Sequence, residues 1–150
     1  TLIQEWNRAY RRVSAIGLIM LDIDWFKQLN DRYGHAVGDE CLKRIGAYLQ
    51  ERVRRSGDLA ARFGGEEFAI IMPDTEMDGL RHMAEDIRSE IEAMQIEHEG
   101  SPFGVITASF GLAVGHPARG DMEPDDLMKV ADEALYEAKR AGKNCIHPQP

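Results

Sequence analysis

Midway along this 150-residue chain, Leu59 to Phe63 and Phe68 to Met72 read as two β-strands with only Gly64-Gly65-Glu66-Glu67 between them. A connection that short makes a hairpin, so an antiparallel pair is fixed at the centre of the fold. Pro73 closes the second strand. Glycines accept positive φ and let a ligand approach the backbone, whereas adjacent carboxylates repel unless a cation or proton neutralises them. The run Arg62-Phe63-Gly64-Gly65-Glu66-Glu67-Phe68 therefore points to a metal and nucleotide site at the hairpin tip.

The flanking segments follow from periodicity. Leu2, Ile3, Trp6, Tyr10 and Val13 recur at helical spacing, opposite Arg8, Arg11 and Arg12. Ser14 to Ile23 is a continuous apolar run, predicted as a central buried strand whose acids Asp22 and Asp24 lie at a sheet edge. Trp25 to Arg32 forms a short helix that Tyr33-Gly34-His35 breaks. A longer helix is expected from Gly38 or Asp39, with stripe Leu42, Ile45, Leu49 and Val53 and with Asp39 as N-cap or first-turn acid. Leu80, Met83, Ala84, Ile87, Ile91 and Met94 mark another helix, and Val105 to Val114 a strand pairing with a short one near Ile96 to Glu99. Pro124, Asp125 and Asp126 open a last helix with stripe Leu127, Ala131, Ala134, Leu135 and Ala138, Gly142 is its expected C-cap, and Asn144 to His147 a final strand. A strictly alternating parallel architecture does not accommodate the hairpin. The order suits an antiparallel-centred α+β sheet with helices packed on one face.

At 43% apolar composition the chain is expected to form one domain. It has no initiator methionine and starts inside an amphipathic pattern, which predicts a module of a longer protein. The longest apolar run, Ala15 to Leu21, is far short of the roughly 20 residues that span a bilayer, so no direct membrane contact is expected. Cys41 and Cys145 fit neither a metal site nor a disulfide framework; both read as core residues of a cytoplasmic protein. A net charge of −8 disfavours nucleic-acid polymers, whereas a small nucleotide can bind where metal and a few lysines reverse the local sign.

If the first strand neighbours the hairpin, Asp22 approaches Glu66 and Glu67. Hard oxygen ligands of this kind select Mg²⁺ or Mn²⁺. Alternatively Asp22 and Asp24 merely end a strand, and Glu66 and Glu67 are solvated turn residues.

The motifs Leu21-Asp22-Ile23-Asp24-Trp25-Phe26-Lys27, Asn30-Asp31, Gly34-His35, Gly38-Asp39, Arg62 to Phe68 and Ala138 to Asn144, in this order, resemble the GGDEF family of diguanylate cyclases. The resemblance implies a palm-like domain, ferredoxin-like or nucleotidyl cyclase-like, with a mostly antiparallel sheet surrounded by helices. Two copies, each binding one GTP, would meet as a homodimer to make cyclic di-GMP and two pyrophosphates. It further implies that Asp22, the Ile23 carbonyl and Glu66, with Glu67 in the same cluster, hold two Mg²⁺ or Mn²⁺ ions per GTP site, and that Glu66 assists deprotonation of the attacking 3′-hydroxyl. Asn30 and Asp39 match guanine-reading positions and His35 a further substrate contact. Lys139 and Lys143 match phosphate contacts, to which Phe26, Lys27, Gly64 and Gly65 add.

Arg55-Ser56-Gly57-Asp58 resembles the family's inhibitory product site through Arg55 and Asp58, while the second arginine that some relatives supply from the following helix has no clear match, Asp86 lying among Arg81 and Arg88. Three positions depart from the usual pattern: Glu66 for aspartate, Trp25 for phenylalanine and Lys143 for arginine. The family's usual Asp-x-Leu-Thr-x-Leu-x-Asn-Arg segment is absent from the start. A different class remains open, a catalytically silent module that binds GTP or cyclic di-GMP.

Overall fold

The computed structural model describes residues 1–149. Helix α1 (Leu2–Arg12) precedes strand β1 (Ile16–Ile23), helices α2 (Phe26–Tyr33) and α3 (His35–Ser56), and the hairpin strands β2 (Leu59–Gly64) and β3 (Glu67–Pro73). Helix α4 (Met77–Ala93), strand β4 (Ala108–Gly115), helix α5 (Pro124–Arg140) and strand β5 (Ile146–His147) complete the chain. The sheet order is β2-β3-β1-β4-β5. All pairings are antiparallel except the short parallel one between β4 and β5.

Every residue of β1 is buried, which explains its central place. Its side chains alternate between two cores. Ile16, Leu18 and Met20 pack with Trp6 and Ala9 of α1 and Leu127, Ala131 and Leu135 of α5. Ile19, Leu21 and Ile23 pack with Leu29 of α2 and the apolar stripes of α3 and α4. Helices thus cover both faces of the sheet, not one as expected. A strand with no polar face needs an apolar layer on each side, each buried leucine or isoleucine contributing about 1.5–3 kcal/mol.

Other boundaries differ for local reasons. Helix α3 starts at His35, because Gly34 at φ 92° turns the chain within one residue while its N–H still bonds to the Asn30 carbonyl. Asp39 consequently sits inside the helix, not at its cap. The strand expected from Val105 enters the sheet only at Ala108; before that, Val105 makes an isolated bridge to Glu97 and Ile106 N–H bonds to the Ile96 carbonyl. Strand β5 is two residues long, and Gly142 at φ 120° lies one position past the α5 cap, Ala141. Cys41 is buried, but Cys145 is only half-buried and donates to the Ala138 carbonyl. In α1 the buried face is Glu5, Trp6 and Ala9, leaving Ile3 (65%), Tyr10 (58%) and Val13 (78%) exposed.

Gly111 on β4 sets the height of α5. A Cβ there would lie 2.2 Å from the Ala131 carbonyl oxygen and 2.3 Å from the Leu135 nitrogen. Helix and strand therefore meet backbone to backbone, which brings the last turn of α5 over the end of β1.

Candidate active site

The β1 and β3 register places Asp22 opposite Glu67, and the Ile23 N–H donates to the Glu66 carbonyl at 3.2 Å. On the other side Asp22 faces Ser109 of β4. The hairpin tip is held by a register shift between Arg62 and Gly64, by Gly65 at φ 48°, and by Arg62 Nε donating to the Gly65 carbonyl at 2.9 Å. The arginine thus has a structural part that its sequence position did not reveal.

Asp22 is 4% exposed. Its Oδ2 accepts from Lys139 Nζ of α5 at 2.5 Å, while its Oδ1 is buried without a partner. Burial pushes the carboxyl up to about 6; Lys139 opposes this, and the charges of Glu66 and Glu67 add to it. Glu67 is raised too, first by burial and then by Asp132 of α5 and Glu66, with Lys139 pulling it down. Asp132 is a fourth acid at this site that the sequence reading missed. Its place two helical turns before Lys139, on the same face of one helix, was the available signal.

A divalent cation fits this donor set. Among the described residues no three acidic, histidine or cysteine side chains already converge into a cage. Magnesium, however, takes only one or two protein carboxylates and completes its shell with water and substrate phosphate. An unpartnered buried carboxylate oxygen beside two repelling glutamates is what such an ion would relieve.

Without metal, the raised Asp22 carboxyl destabilises the folded chain at neutral pH. The folded value of about 6 exceeds the unfolded 3.8, so the penalty is absent below 3.8 and complete above 6. Asp22→Asn removes it. In chelator, the melting temperature of the variant minus that of the parent is expected to increase from pH 4 to pH 7; a pH-independent difference would contradict the assignment.

A second locus forms where α2 meets α3. Asn30 Oδ1 is buried with no partner, and a Cβ at Gly38 would stand 1.8 Å from it. Asp39 and His35 lie beside this contact on the exposed side of α3. Gly38→Ala is expected to push the Asn30 amide aside, weakening any ligand held through that amide by about tenfold. The melting temperature should hold or rise, because alanine favours helix over glycine by roughly 1 kcal/mol and only a side-chain tip must move. Calorimetry alongside thermal unfolding checks both halves.

A family profile described as "Diguanylate cyclase, GGDEF domain" matches residues 1–145. This chain belongs to the GGDEF family. Similar proteins include diguanylate cyclase DgcP of Pseudomonas aeruginosa, 40% identical over 143 residues covering 95% of this chain and 21% of that protein. Another is diguanylate cyclase VdcA of Vibrio cholerae, 44% identical over 135 residues covering 89% and 39%. The chain thus spans well under half the length of these curated relatives. Among solved structures, the GGDEF domain of DgcB from Caulobacter crescentus in complex with c-di-GMP aligns at TM-score 0.85 and 34% identity, over 97% of this chain and 81% of that one. The active GGEEF domain of a diguanylate cyclase from Vibrio cholerae aligns at TM-score 0.85 and 32% identity, over 99% and 93%.

Elsewhere in this GGDEF domain, Arg55 is exposed at the end of α3 and Asp58 half-buried just beyond the Gly57 cap. The Asp58 carboxyl is raised by burial, against a 2.7 Å bond from Ser56 Oγ and the charge of Arg52. Arg52 itself pairs with Asp86 of α4 at 3.0 Å. Lys27 is exposed and Phe26 half-buried at the start of α2, and Lys143 lies just past α5. The carboxylates with Lys139 and the α2 and α3 contact are two loci joined by the segment from Asp22 to Asn30. Among the described residues no helix is long and apolar enough to cross a membrane.

Proposed function

We propose that this GGDEF domain is a diguanylate cyclase that condenses two GTP molecules into cyclic di-GMP with release of two pyrophosphates. The observation that carries the reading is Asp22, a buried carboxylate with one unpartnered oxygen, in register with Glu67 and bridged to Lys139. Asp22, the Ile23 carbonyl and Glu66, with Glu67 alongside, would hold two Mg²⁺ or Mn²⁺ ions. Such ions neutralise phosphate charge and polarise the attacking and leaving oxygens of an in-line displacement.

Asn30 and Asp39 read guanine: the Asn30 amide faces one ring edge, and the Asp39 carboxylate accepts from N1–H and the exocyclic amine. His35 adds a contact on the same helix. Lys139, Lys143, Lys27 and the backbone around Phe26, Gly64 and Gly65 bind the triphosphate. Glu66 accepts the proton as the 3′-oxygen of one GTP bonds to the α-phosphorus of the other and the bond to pyrophosphate breaks; the second half repeats this with the roles exchanged. Each copy of the chain holds one GTP, so the reaction needs a homodimer. The domain acts in the cytoplasm as one module of a longer protein.

The test is to incubate the chain, with and without an appended dimerising helix, with GTP and Mg²⁺ and to resolve the products chromatographically. Cyclic di-GMP from the forced dimer is the expected result. Binding of GTP or cyclic di-GMP without turnover would make it a receptor, and equal use of ATP would overturn the guanine assignment.

Arg55 and Asp58 would bind the product and slow the enzyme, an arginine fork gripping phosphate or guanine. Arg55→Ala is expected to raise the half-inhibitory cyclic di-GMP concentration about tenfold, the worth of a charge-assisted bond, with the initial rate unchanged. An unaltered inhibition curve removes Arg55 from that site.

A further inference from the structure

Asp24 is 1% exposed, yet among the described residues no cation donates a hydrogen bond to it. Neutral donors from two distant segments hold it. Thr107 Oγ1 donates at 2.8 Å and Ser109 Oγ at 2.6 Å from the start of β4, and the Asn144 N–H donates at 2.9 Å from the turn after α5. Its own N–H bonds to the Thr107 carbonyl at 2.9 Å.

Three left-handed residues surround this carboxylate: Trp25 (φ 57°), Lys143 (φ 65°) and Asn144 (φ 47°). Non-glycine residues persist in that region only where their surroundings over-determine them, and such residues cluster at functional sites. Here the surroundings do so. Asn144 is also gripped through its side chain, which accepts from Arg88 and donates to Glu92 of α4 at 3.0 Å each. The Trp25 carbonyl is bonded to the ring of fully buried His98 at 2.8 Å. The two strained turns then face each other: Lys143 Nζ stands 4.4 Å over the Trp25 ring.

We infer that Asp24 and Trp25 are positioning residues for Lys143, Asp24 by fixing the turn that carries it and Trp25 by holding its ammonium against the indole face. An unsupported lysine on a post-helical turn is a mobile point charge; this one is aimed before the ligand arrives. Two departures from the usual family pattern, the indole at 25 and the ammonium at 143, are in direct contact, and an indole is the best aromatic face for a cation. The inference rests on the reading that Lys143 meets the GTP triphosphate.

Calorimetric titration of the chain with GTP and Mg²⁺, and with guanosine as the phosphate-free probe, tests it. Trp25→Leu is expected to weaken GTP about fivefold while leaving guanosine unchanged. In a Lys143→Ala background, which itself weakens GTP, Trp25→Leu should cost less than twofold more. Asp24→Asn should show the same pattern; Ser109→Ala, which removes one bond and keeps the carboxylate, gives the milder version should Asp24→Asn unfold. Equal losses for guanosine, or losses that persist in full without Lys143, overturn the positioning role. If Lys143→Ala alone leaves GTP affinity intact, the phosphate assignment of Lys143 fails, a result distinct from additive losses.

Discussion

Glu66→Ala is expected to lower cyclic di-GMP formation by a factor of at least about 10³ while the domain stays folded. On the proposed mechanism the variant removes a charge that would serve both metal retention and proton transfer, each worth orders of magnitude in rate. Stability should move by no more than about 0.5 kcal/mol, since Glu66 is half-buried in the turn and among the described residues its side chain makes no hydrogen bond. Its backbone carbonyl keeps the bond from Ile23 N–H whatever the side chain. Asp22→Ala should be equally inactive but should alter the pH dependence of unfolding, because Asp22 is buried where Glu66 is not. Product yield within tenfold of the parent from a folded Glu66→Ala protein would take this glutamate out of the reaction.

Gly111→Ala carries the largest expected stability loss, about 3 kcal/mol, which for a chain of this size is a fall of about 6–12 °C in melting temperature. The added carbon meets backbone atoms of Ala131 and Leu135, which cannot rotate away, so α5 must lift from β4 and draw Lys139 from Asp22. Gly17→Ala is the control. There the carbon meets only Leu80, with Cδ2 at 2.5 Å, and a leucine can change rotamer, so about 1 kcal/mol is expected. Circular dichroism melts compare the two; Gly111→Ala within 2 °C of the parent would show that helix and strand are not locked together there.

Periodicity and turn chemistry carry the element list. The apolar run before Asp22, the glycine pair between two β-favouring segments and the stripes of α3, α4 and α5 are local signals, and each element appears where they stand. The two-sided packing was written in the same run, since eight consecutive buried residues leave β1 no face for solvent. What stayed hidden depends on distance along the chain. Nothing local tells that Lys139 reaches Asp22, that Asp24 would collect Thr107, Ser109 and Asn144 instead of ending a strand in water, or that Asp132 acts on Glu67. These contacts arise only when β4 and α5 close over β1. Helix α3 began early because a glycine at positive φ can both stop one helix and start the next. The family motifs point to residues that gather at the carboxylate cluster and at the α2 and α3 contact, yet the packing that holds them is visible only in three dimensions.

The central place of β1 has a consequence for synthesis. Within the domain this strand is made early, but one of its edges waits for β4 and one of its two faces for α5, so neither is fully covered until residues beyond Ala108 appear. At about 5–20 residues per second the nascent chain exposes its most apolar segment for seconds. Long-range pairing of this kind is also slow to nucleate. Cellular yield should therefore depend on chaperone capacity more than the stability of the finished domain indicates.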